Sequence, residues 1–440
     1  STQGYSSAAS DVYKRQDKKK AESIHYSMEP QLSYSLIDQK TGQVKVLVGG
    51  RGQKQDDLAL NRATSVKRQP GSTFKILSTY APAIDTGSMT LATVFDDAPY
   101  QYENGQKVTN YVSTSYKGLT TVRDAIIDSN NIVAVKALTD LTPQVGFDFL
   151  QKLGFTTLVN NRVSTNGTYE SDVNQSLALG GITDGVTNVE LTAAYAAIAN
   201  QGTYNTPVLY TTVKDSNGNV LLSNKKKSRK VIKKSTAWLL TNAMEDVVKK
   251  GTGRAAQLDS DMAVAAKTGT TSNNYDYWFC GYTPYYTASV WTGYDYNTSF
   301  DNDEDYHKVI RKKIMDRIIS EKKQKVKSFP SNKNIKKAEI CIKSGKKALP
   351  NVCSKDPEKS MVRTEYFASG TVPKDSCDAH IAVTFCLKSH LVAQKFCPDK
   401  FRYTKIFRVR PKHSSHKTDD EPYFLNIDIN NKCNIHTEEW

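Results

Sequence analysis

At 440 residues the chain is long enough for a large core and for more than one domain, and no apolar run approaches the length that spans a bilayer, so the chain as given is expected to be soluble. Its net charge of +15 comes largely from clusters such as Lys225-Lys226-Lys227 with Arg229 and Lys230, and from the Lys-rich stretch Arg311 to Lys347. Such patches suit solvated surface first and an anionic envelope second; with no nucleic-acid motif and no interleaved aromatics, nucleic acid is not an expected partner.

Residues 1–29 are polar and Lys-rich without apolar periodicity, and are expected to be a linker or an expression remnant outside the fold. Two alternating runs, Ser33–Ile37 and Val44–Val48, flank Gln39-Lys40-Thr41-Gly42 and predict a β-hairpin. Leu60–Ala63 leads to a Pro70-Gly71 turn and a helix in which Phe74, Ile76, Leu77, Tyr80, Ala81 and Ile84 recur at helical spacing. Pro82 should kink that helix or mark a break. The Tyr- and Asn-rich segment Asp96–Lys117 has no clean period and is expected to form a loop over a cleft. Thr121 to Ile127 reads as helix, and a second apolar helix with Ile132, Val135, Ala137 and Leu138 follows Ser129-Asn130-Asn131.

Leu177–Gly181 is a glycine turn before a small-residue helix, Glu190–Ala199, closed by Asn200-Gln201-Gly202. Short strands surround Asp215–Gly218, and Ser235–Lys249 is an amphipathic helix ended by Gly251-Thr252-Gly253. The strand Met262–Ala266 is expected to carry Lys267-Thr268-Gly269-Thr270 at its end. Trp278–Tyr282 and Thr287–Gly293 then make an antiparallel meander that the N-terminal hairpin can extend and that a last amphipathic helix, with Val309, Ile310, Ile314, Met315, Ile318 and Ile319, can cover. Beyond Ser328 the periodicity fades, and a linker with an accessory tail is expected.

Chemistry enters at Ser72 and Lys75, which lie at i and i+3 on the first turn of the helix after Pro70. A serine hydroxyl is a poor nucleophile until a base takes its proton, and an amine one turn away can do so if its pKa is lowered. The positive end of the helix favours loss of that proton. Ser-x-x-Lys alone is more often a solvated helix start; four more copies begin at Ser223, Ser320, Ser344 and Ser414, all in Lys-rich polar runs. Ser72 differs in having a turn before it, an apolar helix after it, and Ser129-Asn130-Asn131 and Lys267-Thr268-Gly269 downstream in order. Lys-Thr-Gly occurs by chance in roughly one chain of this length in ten. Ser-Asn-Asn taken alone reads as an ordinary helix cap. The ordered triple is the specific signal.

Six of the seven cysteines (Cys341, Cys353, Cys377, Cys386, Cys397 and Cys433) fall in the tail. An even set in a small polar segment points to disulfides in an oxidising compartment. Zinc is the rival because His380 and His390 lie nearby, but no C-x-x-C pair supports it, so metal ranks below disulfides or free thiols. Cys280, in an apolar strand, is expected to be a buried thiol.

With these motifs, the chain resembles the transpeptidase half of class A, high-molecular-weight penicillin-binding proteins from about Leu32 to Asp295. Asn61-Arg62-Ala63 with Arg68–Ser72, Ala178-Leu179-Gly180-Gly181, Ala194-Tyr195-Ala196 with Ala199–Gly202, and Lys250-Gly251-Thr252-Gly253 add to the likeness. The tail around Phe367–Pro373 with Cys377 and His380 resembles C-terminal extensions of some Gram-positive members more loosely.

The resemblance implies an α+β fold: an antiparallel sheet covered by helices, an all-helical lobe, and the active site between them. It implies a penicillin-binding transpeptidase domain at 30–326 and a Lys/Cys-rich extension at 327–440. It further implies a serine D-Ala-D-Ala transpeptidase at the outer face of the bacterial cytoplasmic membrane, acting on peptidoglycan stem peptides and acylated by β-lactams. A membrane anchor and a glycosyltransferase domain are implied upstream, outside this chain, so only transpeptidation is expected of it. In this reading Ser72 attacks, Lys75 is the general base with its pKa lowered by Lys267, Ser129 relays a proton, and Asn131 binds Lys75 and the substrate amide. Lys267, Thr268 and Thr270 hold the terminal carboxylate, Gly269 admits the substrate backbone, and the N–H groups of Ser72 and Thr270 form the oxyanion hole. No cofactor and no metal is expected, and His25 and His307 are expected at the surface. A D,D-carboxypeptidase, a serine β-lactamase or a non-catalytic β-lactam sensor are the rivals; the β-lactamase lacks a convincing glutamate motif between Asn131 and Lys267.

Overall fold

Every residue of the strands Asp276–Tyr282 and Thr287–Gly293 is buried, because both faces of the sheet they build are covered. The computed structural model describes residues 28–54, 57–112, 115–300, 305–412, 414–415 and 417–438, so the expected linker at 1–29, with His25, lies almost wholly outside the described residues. Five antiparallel strands form the sheet, in the order Ala265–Thr270, Asp276–Tyr282, Thr287–Gly293, Gln31–Ile37, Val44–Val48; the N-terminal hairpin extends the meander as its sequence predicts. Successive side chains point to opposite faces. Tyr34, Leu36, Phe279 and Val290 pack on Met315 and Ile319 of the helix Tyr306–Glu321, while Trp278, Cys280, Tyr282 and Trp291 join the larger core of the helical lobe. The architecture is α+β.

The strand bearing Lys267 begins at Ala265 rather than Met262, so the motif occupies the paired body of the strand: Lys267 lies opposite Cys280 and Thr270 opposite Tyr277. This strand is the sheet's edge.

The helix after Pro70 changes type along its length, from a 3-10 turn (Gly71–Thr73) through a π segment (Lys75–Tyr80) to an α segment (Ala81–Thr86). Pro82 falls in the first turn of the α segment, where its missing N–H costs little, so the expected break appears as a change of winding. Phe74, Ile76, Leu77 and Tyr80 are fully buried with the helices Asn131–Leu141, Pro143–Lys152 and Asn188–Ala199.

His307 is a correction. It is 2% exposed, its ring lies 5.3 Å from that of Tyr277, and burial pushes its pKa down to about 3. The buried stripe of its helix runs His307, Arg311, Met315, Ile319, so two polar residues stand where an apolar pattern would place hydrocarbon.

After Ser328 the chain folds into two antiparallel hairpins, Ile335–Cys341 with Val362–Ala368 and His380–Cys386 with Arg402–Arg408. The first docks on the helix Val122–Asp128. Arg123 reaches Glu365 at 2.7 Å and Asp246 at 2.9 Å, and Arg363 reaches Asp124 at 2.7 Å. All seven cysteines are buried free thiols, so the disulfides expected for the tail do not form; its six cysteines instead gather, three at a time, around a histidine. His390 joins neither group. Among the described residues no helix is long and apolar enough to cross a membrane.

Candidate active site

The edge strand and the turn before the serine helix touch through bare backbone. Gly71 holds φ +54°, a conformation that side chains disfavour, and a Cβ there would stand 2.8 Å from the Thr270 carbonyl oxygen. A Cβ on Gly269 would meet the Pro70 carbonyl at 2.7 Å. The turn is braced from behind: the Trp278 indole N–H donates to the Gln69 carbonyl at 2.9 Å and the Tyr195 hydroxyl to that of Thr73 at 2.7 Å. Half-buried Ser72 is thus fixed between Thr270 and the next helical turn.

That next turn supplies Lys75, whose side chain is wholly buried. Its ammonium donates to the Ser129 carbonyl and to Asn131 Oδ1, and lies 3.2 Å from Ser129 Oγ. Lys267, equally buried, donates to the same Ser129 Oγ at 2.7 Å and to the Thr268 carbonyl at 3.1 Å. Three separate sequence motifs therefore meet at one hydroxyl.

Ser129 and Asn131 are presented by a helix junction. Ser129 ends the helix Val122–Asp128 in the left-handed region at φ 56°, an unusual conformation for a non-glycine residue. Asn130 caps the following helix, its side chain accepting the Val133 N–H at 2.8 Å. The helix-cap reading thus holds for Asn130, while its two neighbours carry the polar contacts to the lysines.

Burial pushes Lys75 well below the ordinary lysine range, and the charge of Lys267 adds to that. The neighbouring cation named from the sequence is thus the smaller of the two causes. Lys267 is itself pushed down to about 7, by burial first and by Lys308 second. Burial also raises the Cys280 thiol well above its usual value, consistent with an inert core cysteine.

Sequence reasoning missed the groups that hold these residues. Asn110 Oδ1 accepts the Asn131 backbone N–H at 2.9 Å, Asn110 Nδ2 donates to Asp97 at 2.8 Å, and the Thr109 carbonyl accepts from Asn131 Nδ2 at 2.7 Å. They come from the Asp96–Lys117 segment, whose only sequence signal was its lack of period. Thr252 shares a 2.8 Å hydroxyl contact with Thr268, and the Thr252 N–H reaches the Ile127 carbonyl at 3.4 Å, tying the edge strand to the end of the Ser129 helix.

Residues 32–320 match the penicillin-binding protein transpeptidase domain, and residues 331–382 the C-terminal domain of penicillin-binding protein 1A. Penicillin-binding protein 1A of Clostridium tetani is 34% identical over 369 residues, covering 81% of this chain and 45% of that protein. Its Clostridium novyi counterpart is 35% identical over 409 residues, covering 90% and 46%. The chain thus spans less than half the length of these relatives. In structure it is similar to penicillin-binding protein 1A of Haemophilus influenzae (TM-score 0.66, 23% identity, 79% of this chain and 54% of that one). It is also similar to PonA1 of Mycobacterium tuberculosis in complex with penicillin V (TM-score 0.59, 25% identity, 74% and 84%).

Proposed function

The chain belongs to the penicillin-binding protein transpeptidase family, and from that premise we propose that it is a serine D,D-transpeptidase of the bacterial cell envelope that crosslinks peptidoglycan stem peptides and is acylated by β-lactams. The observation that carries this reading is the double engagement of Ser129 Oγ, by Lys75 at 3.2 Å and Lys267 at 2.7 Å, beside the turn that holds Ser72.

In this mechanism Lys75, neutral because it is buried, takes the proton of Ser72 as Oγ attacks the carbonyl carbon between the two terminal D-alanines. The N–H groups of Ser72 and Thr270 stabilise the oxyanion, a contribution of about 2.7–4 kcal/mol per donor in related chemistry. Collapse breaks the C–N bond; the D-alanine amine leaves with a proton passed through Ser129, and the peptide remains as an ester on Ser72. Asn131 keeps Lys75 oriented and donates toward the substrate amide. An amine of a second stem peptide then attacks the ester, gives up a proton through the same groups, and releases Ser72 with a new amide formed. Lys267, in its charged form, attracts the terminal carboxylate with Thr268 and Thr270. The substrate lies along the free edge of this strand, while the bare Gly269 lets the strand close on the Pro70 turn that precedes Ser72.

PonA1, whose structure contains penicillin V, supports the β-lactam part of this reading. The test is mass spectrometry of the 440-residue chain with benzylpenicillin, beside D-alanine release from a stem pentapeptide with and without an acceptor amine. One covalent adduct that Ser72→Ala abolishes, with a crosslinked product, is expected. Hydrolysis alone would mean a carboxypeptidase, acylation without release a sensor, and an adduct surviving Ser72→Ala a different nucleophile.

A further inference from the structure

The tail contains one motif twice. Strand Ile335–Cys341 ends in Cys341, Cys353 follows, strand Val362–Ala368 returns, and Cys377-Asp378-Ala379-His380 closes the unit. Strand His380–Cys386 then ends in Cys386, Cys397 follows, strand Arg402–Arg408 returns, and Cys433-Asn434-Ile435-His436 closes the second. The first cysteines share their surroundings, Cys341-Ile342-Lys343-Ser344 and Cys386-Leu387-Lys388-Ser389, and the last share Cys-x-x-His.

We propose that the tail is a tandem pair of structural zinc modules, with Cys341, Cys353, Cys377 and His380 holding one ion and Cys386, Cys397, Cys433 and His436 the other. In each group the four ligand atoms lie within 4.8 Å of one another, and all eight residues are buried. His380 Nδ1 is 3.4 Å from the sulfurs of Cys341 and Cys377, and His436 Nδ1 is 3.5 Å from those of Cys386 and Cys433. Tetrahedral zinc with Zn–S of about 2.3 Å and Zn–N of about 2.0 Å sets an S···N edge of about 3.5 Å. Disulfides do not account for the arrangement, because pairing two thiols leaves the third of each group over.

The surroundings are those of a ligand shell. The other ring nitrogen of His380 meets Asp356 Oδ2 at 2.8 Å, and Asp356 is gripped by Arg408 at 2.7 and 2.8 Å, the carboxylate–histidine arrangement that orients a metal-bound imidazole. Arg408 comes from the second hairpin, so this contact also joins the modules. Backbone N–H groups of Leu349 and Lys343 point at the sulfurs of Cys353 and Cys341 from 3.2 and 3.4 Å. Ligands make up much of what is buried: Cys341, Cys353 and Cys377 pack with Met361 and Ala379 in one module, and Cys386, Cys397 and Cys433 lie beside a small apolar cluster of Val383, Phe385 and Val392 in the other. Modules this small, whose apolar clusters hold only a few side chains each, need a staple. Each binding event takes one Zn²⁺, three thiolates and one neutral imidazole and releases the three thiol protons. The inference stands apart from the chemistry of Ser72.

Elemental analysis of the intact 440-residue chain, purified under reducing conditions with zinc, should find two zinc ions per chain. Cys377→Ser and Cys433→Ser should each lower that to one. Because either variant can misfold, wild type is also read by zinc X-ray absorption, with three sulfurs at about 2.3 Å and one nitrogen at about 2.0 Å expected, and by cobalt substitution, with thiolate charge-transfer bands and intense tetrahedral d–d absorption. No bound zinc, a shell without sulfur, or disulfides persisting under those reducing conditions would overturn the proposal; a single ion lost only in Cys377→Ser would overturn the second site.

Discussion

Lys75 and Lys267 donate to one acceptor, the hydroxyl of Ser129, from 3.2 and 2.7 Å, and neither side chain is exposed to water. Two buried amines this close resist being charged together, which splits their roles: one is suited to lose its proton, the other to keep it until a carboxylate arrives.

A pH dependence follows. Acylation needs Lys75 neutral and Lys267 charged, and both are shifted down, Lys75 well below its ordinary range and Lys267 to about 7. The second-order rate of acylation by a fluorescent penicillin should fall at low pH as Lys75 binds a proton, and fall again as pH rises through about 7 and Lys267 loses its own. Lys267→Arg keeps its charge and should flatten the alkaline limb, even at a lower overall rate. A wild-type rate still climbing at about pH 9 would contradict the assignment.

The same shift is a stability statement. Unfolded, Lys267 titrates near about 10.4; folded, it does so at about 7. Between those values the folded chain binds fewer protons, so the cost of burying this amine is fully present below about pH 7 and fades as pH rises toward about 10.4. Lys267→Met should therefore raise the melting temperature at about pH 6, by less at about pH 9, while slowing acylation at least about tenfold. Thermal melts at the two pH values decide it; a variant less stable than wild type at the lower pH would count against a destabilising lysine.

A third expectation concerns the extension. Glu365 is fully buried and reaches Arg123 at 2.7 Å, in the helix that ends at Ser129. Removing Glu365 takes away one of the two carboxylates that hold buried Arg123 and leaves Asp246 at 2.9 Å, so the cost should fall below the roughly 3–5 kcal/mol of a fully stranded charge. Glu365→Ala should lower the melting temperature and slow acylation, and Arg123→Met with Glu365→Leu should restore most of the stability. Equal melting of Glu365→Ala and wild type would show that the hairpin merely rests on the helix.

The sheet and the helical lobe were legible because their strands are short continuous apolar runs and their helices carry aliphatic stripes. The three motifs were legible because their order along the chain is rare. His307 was misplaced because its buried stripe includes Arg311, which periodicity counts as surface. The tail was read as a linker with an accessory segment for a related reason: its apolar clusters are small and interrupted by buried thiols and imidazoles, and the repeat is visible only when Cys341-Ile342-Lys343-Ser344 is set beside Cys386-Leu387-Lys388-Ser389. Asn110 carried no local signal, since a loop asparagine that binds a backbone N–H in another segment is defined only by the fold.

Asn110 is where that gap can be tested. Its carbonyl oxygen accepts the Asn131 N–H at 2.9 Å, its amide is anchored on Asp97 at 2.8 Å, and Asn131 in turn accepts from Lys75. Asn110→Ala leaves the Asn131 N–H without its acceptor, at a cost of about 1–3 kcal/mol, and frees Asn131 to turn from Lys75. Acylation by a fluorescent penicillin should slow by about 10- to 100-fold, since about 1.4 kcal/mol corresponds to a factor of ten. Asn104→Ala, which removes only a local turn contact to the Gln106 N–H at 3.0 Å in the same segment, should leave the rate unchanged. If both variants slow equally, the effect belongs to the loop as a whole; if neither does, Lys75 is held without help from Asn110.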